Sequence, residues 1–451
     1  MKARWFACTV VILIGFTFST VFADGGDANK FPKDATFRTL ITLPRPVEGL
    51  TGDNSGNLYI GGSSTTTPSN PPPCPIWRIN LHSPSMTVVG NVQAAVTPAG
   101  ACNFSGIAFD ELGNLYQADG TAGRIYTLKP NAASPPNATV FATGVPGTNG
   151  LAVDRDGNLW TGDGTTGQGR VWKITGPGAN CTPSLSFPTV TNCVEVFRIQ
   201  PMANEVNLDA SGVGGVGRDV RALPPGVILV TPTTRNAALN TVCPAPFTSP
   251  CALGSQPIVA NGIAFDHDGD TMFIIDTARG ALWKVELKHA KFNPDGTLKT
   301  GTGCDSTFTP NTLCLSNVFV AHPILEGGDG IALDREGNVW VDANERNAVA
   351  VVTKEGDVFE IFRNPVNSAK LRNSADTALG NTHILEFPTS PFLTGKIFCT
   401  SMSDGNRRDN SPNTGGEIVP GSAILGKISC MTDKNGHPLE LKIPGLPLPV
   451  H

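Results

Sequence analysis

The stretch "GIAFDELGNLYQADG" (residues 106–120) decides the fold, because the chain writes it again and again. "GLAVDRDGNLWTGDG" begins at Gly150, "GIAFDHDGDTMFIID" at Gly262, "GIALDREGNVWVDAN" at Gly330 and "GLTGDNSGNLYIGG" at Gly49. In every copy Asp53, Asp110, Asp154, Asp266 or Asp334 is followed three residues later by Gly56, Gly113, Gly157, Gly269 or Gly337. An Asp that opens a turn, and a Gly free to take φ > 0, predict a tight hairpin between two strands. The aspartates invite comparison with calcium loops, but their spacing is not that of an EF-hand. They are read as turn residues.

A third strand follows most copies, as in "GRIYTL" (123–128), "GRVWKI" (169–174), "GALWKVEL" (280–287) and "NAVAVV" (347–352). "ATVFATG" (138–144) and "SNVFVA" (316–321) supply a fourth. Four antiparallel strands recurring at a period of a few tens of residues predict an all-β chain forming a single β-propeller. Tyr126, Trp172 and Trp283 recur on the third strand and are expected to pack between blades. Two copies are degenerate. "GNTHILEFPTSPFLTGKIFCTS" (380–401) keeps a strand pair without the turn motif, and 218–242 aligns with 328–352 inside the long interval from Gly150 to Gly262. Repeats therefore start near 48, 105, 149, 219, 261, 329 and 382, and their count favours seven blades over six. "TFRTLITL" (36–43) is expected to close the ring by pairing in the last blade. "GVGGVG" (212–217) lacks the strand–helix context of a nucleotide loop.

Composition agrees with a turn-rich β protein: 50 Gly, 37 Pro and 16% charged residues in 451. A net charge of −5 leaves no electrostatic footprint for nucleic acid. At the N-terminus Lys2 and Arg4 precede a largely apolar run from Trp5 to Phe18, and Val21-Phe22-Ala23 offers small residues for cleavage. Residues 1–23 read as a signal peptide, which leaves 24–451 as the propeller domain, secreted or periplasmic, with no stable membrane span. Ten cysteines remain after Cys8 is removed, and they fall into near neighbours. The expected pairs are Cys74–Cys102, Cys181–Cys193, Cys243–Cys251, Cys304–Cys314 and Cys399–Cys430, mostly pinning insertions.

The residue in front of each repeat glycine carries the functional signal. It is Glu48, Ser105, Asn149, Asn261 and Asp329, with Asp219 and Thr382 in the degenerate copies. First strands line a propeller channel, so these positions form a ring at one depth. Glu, Asp and two Asn supply the hard oxygen ligands of Ca2+, with Mg2+ or another divalent cation as the alternative. His322 and His383 lie close in sequence to the blade mouths, and a solvated or core role is the simpler reading for both.

"EGLTGD" at Glu48, "NGLAVDRDGNLW" at Asn149, "NGIAFD" at Asn261 and "GDGIALDREGNVWV" around Asp329 resemble the senescence marker protein/gluconolactonase (regucalcin-like) family of calcium-dependent β-propellers. The resemblance implies six blades. It also implies that Glu48, Asn149, Asn261 and Asp329 bind one divalent cation, and that the protein is a calcium-dependent lactonase or esterase-type hydrolase acting on a small-molecule lactone or ester. Asp329 would then also activate the attacking water. Two other readings stay open: a non-catalytic NHL-like binding propeller, and a lyase similar to virginiamycin B lyase, for which His383 is the nearest histidine. Loops 60–75, 176–217 and 403–421 are where specificity would reside.

Overall fold

Each quoted copy forms the two inner strands of a four-stranded sheet. The computed structural model describes residues 30–447 apart from 67–68, 98–99, 165–168, 182–191, 200–258, 278, 300–310, 314, 326, 345–346, 364–384, 386 and 404–425. After β1 (Thr36–Leu43), blade 1 consists of β2 (Leu50–Gly52), β3 (Asn57–Gly61), β6 (Cys74–Asn80) and β7 (Met86–Val92), with the short pair β4 (Thr65–Thr66) and β5 (Ser69–Asn70) inserted. Blade 2 is β8 (Phe104–Phe109), β9 (Leu115–Asp119), β10 (Arg124–Leu128) and β11 (Thr139–Thr143). Blade 3 is β12 (Thr148–Val153), β13 (Leu159–Asp163), β14 (Arg170–Ile174) and β16 (Cys193–Arg198), while β15 (Ala179–Asn180) runs parallel to β11. Blade 4 is β17 (Ala260–Phe265), β18 (Thr271–Asp276), β19 (Ala281–Glu286) and β20 (Val318–Ala321). Blade 5 is β21 (Gly328–Leu333), β22 (Val339–Ala343), β23 (Ala348–Val352) and β24 (Val358–Arg363). Blade 6 is β25 (Pro388–Thr394), β26 (Ile397–Met402), β27 (Gly426–Thr432) and, outermost, β1.

The N-terminal strand pairs with β27 from Thr36↔Thr432 to Leu43↔Gly426, so the last blade is stitched from both ends of the chain, as the sequence predicts. The inner strands β2, β8, β12, β17, β21 and β25 pack in that order, and β25 returns to β2. This is a six-bladed propeller. The seventh blade suggested by the repeat count is not in the ring, because β12 packs directly on β17 and leaves no place between them. The copy near 219 lies outside the described residues.

Six apolar clusters fill the six interfaces between blades. Tyr126 packs between blades 1 and 2, Trp172 between 2 and 3, and Trp283 between 3 and 4. All three are buried, as expected of large rings that contribute most of an interface's apolar area. No helix among the described residues is long and apolar enough to cross a membrane.

Three expected disulfides are present: Cys74–Cys102, Cys181–Cys193 and Cys399–Cys430. Cys181–Cys193 closes the connection between β14 and β16, as expected of a bond that pins an insertion, and the other two lie on or beside strands of the blades. Cys399 and Cys430 are direct partners across β26 and β27, inside the closing blade. Cys74 on β6 reaches Cys102 just ahead of β8, and Cys181 after β15 reaches the first residue of β16, so both tie neighbouring blades together. The cysteines at 243, 251, 304 and 314 lie outside the described residues.

Candidate functional site

The inner hairpin has two ends with different chemistry. At the turn end, Asp110 Oδ1 accepts from the backbone N–H groups of Leu112 (2.9 Å) and Asn114 (2.8 Å). Its Oδ2 accepts from Asn114 Nδ2 (2.7 Å) and the Tyr116 hydroxyl (3.0 Å). Asp53, Asp154 and Asp334 make the same bonds, the last two with Trp160 and Trp340 in place of tyrosine. The turn in blade 4 is one residue longer, so Asp266 accepts from Asp270 and Thr271 instead. Gly157, at φ 81°, supplies the left-handed step that the turn needs. These aspartates close turns, as read from the sequence.

At the other end, each repeat glycine lets neighbouring blades touch. A Cβ on Gly262 would stand 2.5 Å from the carbonyl oxygen of Asp329, where no side chain fits. In the same way Gly49 abuts Ser105, Gly106 abuts Asn149, Gly150 abuts Asn261, and Gly330 abuts Thr389. The Thr389 hydroxyl then donates to the carbonyl of Glu48 (2.9 Å), joined by the Ser401 hydroxyl, and the circuit is complete. Glu48, Ser105, Asn149, Asn261, Asp329 and Thr389 therefore occupy equivalent places around one ring. Glu48 is half-buried and the other five are buried. Thr389 holds the place in blade 6; Asp219, Thr382 and His383 lie outside the described residues. His322 accepts at Nδ1 from the Ile324 N–H (3.1 Å) and so orders a short turn between β20 and β21.

A second tier, not anticipated from the sequence, backs the ring. It consists of the residue that follows the second strand of blades 2 to 6, and of Ser63, one place further on, in blade 1. Gly164 donates its N–H to Gly147, Asn344 to Gly327 and Ser403 to Phe387, each time two residues before the ring position. In blade 3 the tier residue is glycine, and a Cβ there would meet Asn149 Nδ2 at 2.9 Å. In blade 4 it is Thr277, whose hydroxyl donates to the carbonyl of Gly328 (2.5 Å) and accepts from Asn261 Nδ2 (3.0 Å). Because that hydroxyl has a single proton, it must receive the amide NH2 of Asn261. Asn261 Oδ1 is thereby turned away from Thr277 and is buried with no hydrogen-bond partner among the described residues. A buried acceptor left this way costs about 1–3 kcal/mol unless something binds it. In blade 5 the tier residue is Asn344, whose Nδ2 donates to Asp329 Oδ2 (2.7 Å).

Asp342 lies behind Asp329, fully buried on β22, and takes a hydrogen bond from Thr400 of blade 6. Burial lifts its carboxyl well above the usual range; the Thr400 hydroxyl opposes the rise and the Asp329 charge adds to it. Burial also raises the Asp119 carboxyl at the end of β9. Its counterparts Asp163 and Asp276 are instead paired with Arg170 (2.7 Å) and Arg279 (2.6 Å). Among the described residues there is no cluster of three or more His, Cys, Asp or Glu side chains that could hold a metal. The ring differs from such a cluster in having two carboxylates and two amides. Its all-oxygen donors and the partnerless Asn261 Oδ1 fit a hard divalent cation. A cavity of about 490 Å³ lies elsewhere, at the outer strands of blade 4 beside Lys284, His289 and Phe319.

Fold and ring together define a six-bladed β-propeller with an oxygen-bearing ring at one end of its channel. Residues 241–371 match the family model described as SMP-30/Gluconolactonase/LRE-like region, and the resemblance read from the motifs holds there. Similar solved structures include a luciferin-regenerating enzyme, at 13% identity over 92% of this chain and 99% of that one, with a TM-score of 0.47. The calcium-binding protein regucalcin from Agrobacterium tumefaciens is 16% identical over 93% of this chain and 98% of its own, with a TM-score of 0.47. A gluconolactonase from Xanthomonas campestris is 13% identical over 90% and 92%, with a TM-score of 0.44. No curated protein matches the sequence.

Proposed function

We propose that the protein is an exported, divalent-cation-dependent hydrolase of the gluconolactonase type, acting on a lactone or ester at the ring end of its channel. The observation that carries this reading is the Asn261 amide, held by Thr277 so that its buried Oδ1 has no hydrogen-bond partner among the described residues. Glu48, Asn149, Asn261 and Asp329 would hold the ion, with Ca2+ favoured over Mg2+ because it tolerates a larger and less regular oxygen shell. Bound there, Ca2+ supplies Lewis-acid polarisation of a carbonyl and stabilises the negative charge that develops on its oxygen.

The chain's own residues supply the rest. Asp329 takes the proton from the attacking water, and the Asn344 amide holds the plane of its carboxylate. The close approach of Gly262 to the Asp329 backbone fixes where that carboxylate starts. The second strands end and the third strands begin at this rim, so substrate would enter here, past connections such as 60–75 in blade 1. Most of 176–217 and of 403–421, read from the sequence as specificity loops, lies outside the described residues. Export is read from the N-terminal segment, and three disulfides fit an oxidising compartment.

The test is a panel of lactones and esters assayed with Ca2+, after chelation, and after Ca2+ is restored. Turnover should vanish on chelation and return. Asp329→Ala should lower kcat by roughly 100-fold or more while leaving thermal unfolding unchanged. Ca2+ binding without turnover of any substrate would favour an NHL-like recognition propeller. An elimination product in place of a hydrolysed acid would favour a lyase.

A further inference from the structure

The second tier differs from blade to blade in a way that singles out one residue. At this place blade 2 has Gly120, blade 3 has Gly164, and blade 4 has Thr277, which is used up in orienting Asn261. Blade 5 alone carries an amide there. Asn344 is 1% exposed, donates its N–H to Gly327 (2.8 Å) and accepts at its carbonyl from Asn347 (3.1 Å). Its backbone is therefore held from both sides.

The side chain is held as well. Nδ2 is committed to Asp329 Oδ2 at 2.7 Å, a carboxylate oxygen that can only accept, so the amide cannot turn over without placing oxygen against oxygen. Oδ1 is consequently directed away from that carboxylate, and it is buried with no hydrogen-bond partner among the described residues. Asn261 Oδ1 is in the same condition, and Thr277, which orients it, also holds the carbonyl of Gly328, next to Asp329. Among the described residues three buried amide oxygens lack partners; Gln117 Oε1 is on blade 2, whereas those of Asn261 and Asn344 are each on a residue anchored to the Gly328–Asp329 backbone or side chain.

We infer that Asn344 is a further ligand of the ring's cation, supplying its Oδ1 beside Asp329. This rests on the cation reading of the ring. With it the protein offers five side-chain oxygens, from Glu48, Asn149, Asn261, Asp329 and Asn344, carrying two negative charges between them. A neutral fifth oxygen matches the high coordination number of Ca2+ and exceeds what Mg2+ accepts while keeping its waters. The second tier then has two tasks: Thr277 aims a ligand, and Asn344 is one.

The test uses metal-stripped full-length protein and two probes, Ca2+ by calorimetry and Eu3+ by luminescence lifetimes in H2O and D2O, which count the waters on the ion. Asn344→Gly is the main variant, since blades 2 and 3 already carry glycine at this place; Asn344→Asp keeps an oxygen there. Asn344→Gly should weaken Ca2+ binding roughly 10-fold or more, and should add about one water to bound Eu3+ as solvent takes the lost position. Asn344→Asp should leave the water count as in the wild type. If the wild type binds and Asn344→Gly leaves the water count unchanged, Asn344 merely positions Asp329 and the inference is wrong. If the wild type binds neither ion, the ring reading itself has failed.

Discussion

At the turn end of the inner hairpins, Asp110, Asp154 and Asp334 accept the same bonds from the same relative positions, blade after blade. At the ring end the residue at the equivalent place changes from blade to blade: Glu48, Ser105, Asn149, Asn261, Asp329, Thr389. One repeat thus writes both a uniform end and a variable one. The uniform end is well satisfied, with the carboxylates of Asp53, Asp110, Asp154 and Asp334 each held by backbone, amide and aromatic donors. The variable end leaves amide oxygens of Asn261 and Asn344 without partners. Uniform, satisfied polar groups serve the fold. Varied groups on an otherwise repeated frame, buried and unsatisfied, are what the proposed cation-binding end requires.

Glycines separate the two ends most sharply. Gly262→Ala forces a Cβ to 2.5 Å from a backbone carbonyl of the next blade, where no flexible side chain can give way. It should destabilise the protein by about 3 kcal/mol or more. Gly157→Ala meets nothing within 4 Å and suffers only from its φ of 81°, so its cost should be about 1 kcal/mol. Urea unfolding of both variants checks this. Equal losses would mean that the ring end is no tighter than the turn end.

Acidity provides a smaller contrast. Asp342, fully buried at the ring end, has its folded carboxyl raised above the unfolded value. Its contribution is therefore fully present below the unfolded pKa, about 4, and is lost as pH rises through the higher folded value. In metal-stripped protein, Asp342→Asn should raise the urea midpoint at pH 8, with the gain shrinking as pH approaches 4. An unchanged midpoint at pH 8 would show that burial of this carboxyl carries no penalty.

Much of this was legible in the sequence because the glycines do geometric work at fixed spacing. The turn motif, the closing strand at Thr36–Leu43 and the ring positions before Gly49, Gly106, Gly150, Gly262 and Gly330 all follow from it. Where the glycine is missing, the reading drifts. Blade 6 puts Ser390 and Pro391 where the others have Gly and an aliphatic residue, so a search for the motif settles on Gly380 and passes over Thr389. The blade count was misleading for a related reason: 218–242 has the pattern of strands, but membership of the ring depends on the inner-strand contact that Gly150 makes with Asn261. The second tier was within reach, seven residues after the turn glycine at Gly164 and Asn344. The longer turn of blade 4 shifts Thr277 by one, and at a strand's end a polar residue looks like ordinary solvated chain. Only the hydrogen bonds of Asn261 and Asp329 show what these residues hold.

The most direct test of a binding end opposite a structural end is calorimetric titration of metal-stripped protein with Ca2+. The wild type should bind one ion. Asp329→Ala should weaken binding more than Asn149→Ala, because it removes charge as well as a ligand, and Asp154→Ala at the turn end should leave the affinity unchanged. No heat of binding at millimolar Ca2+ or Mg2+, or an affinity indifferent to Asp329 and Glu48, would contradict the account.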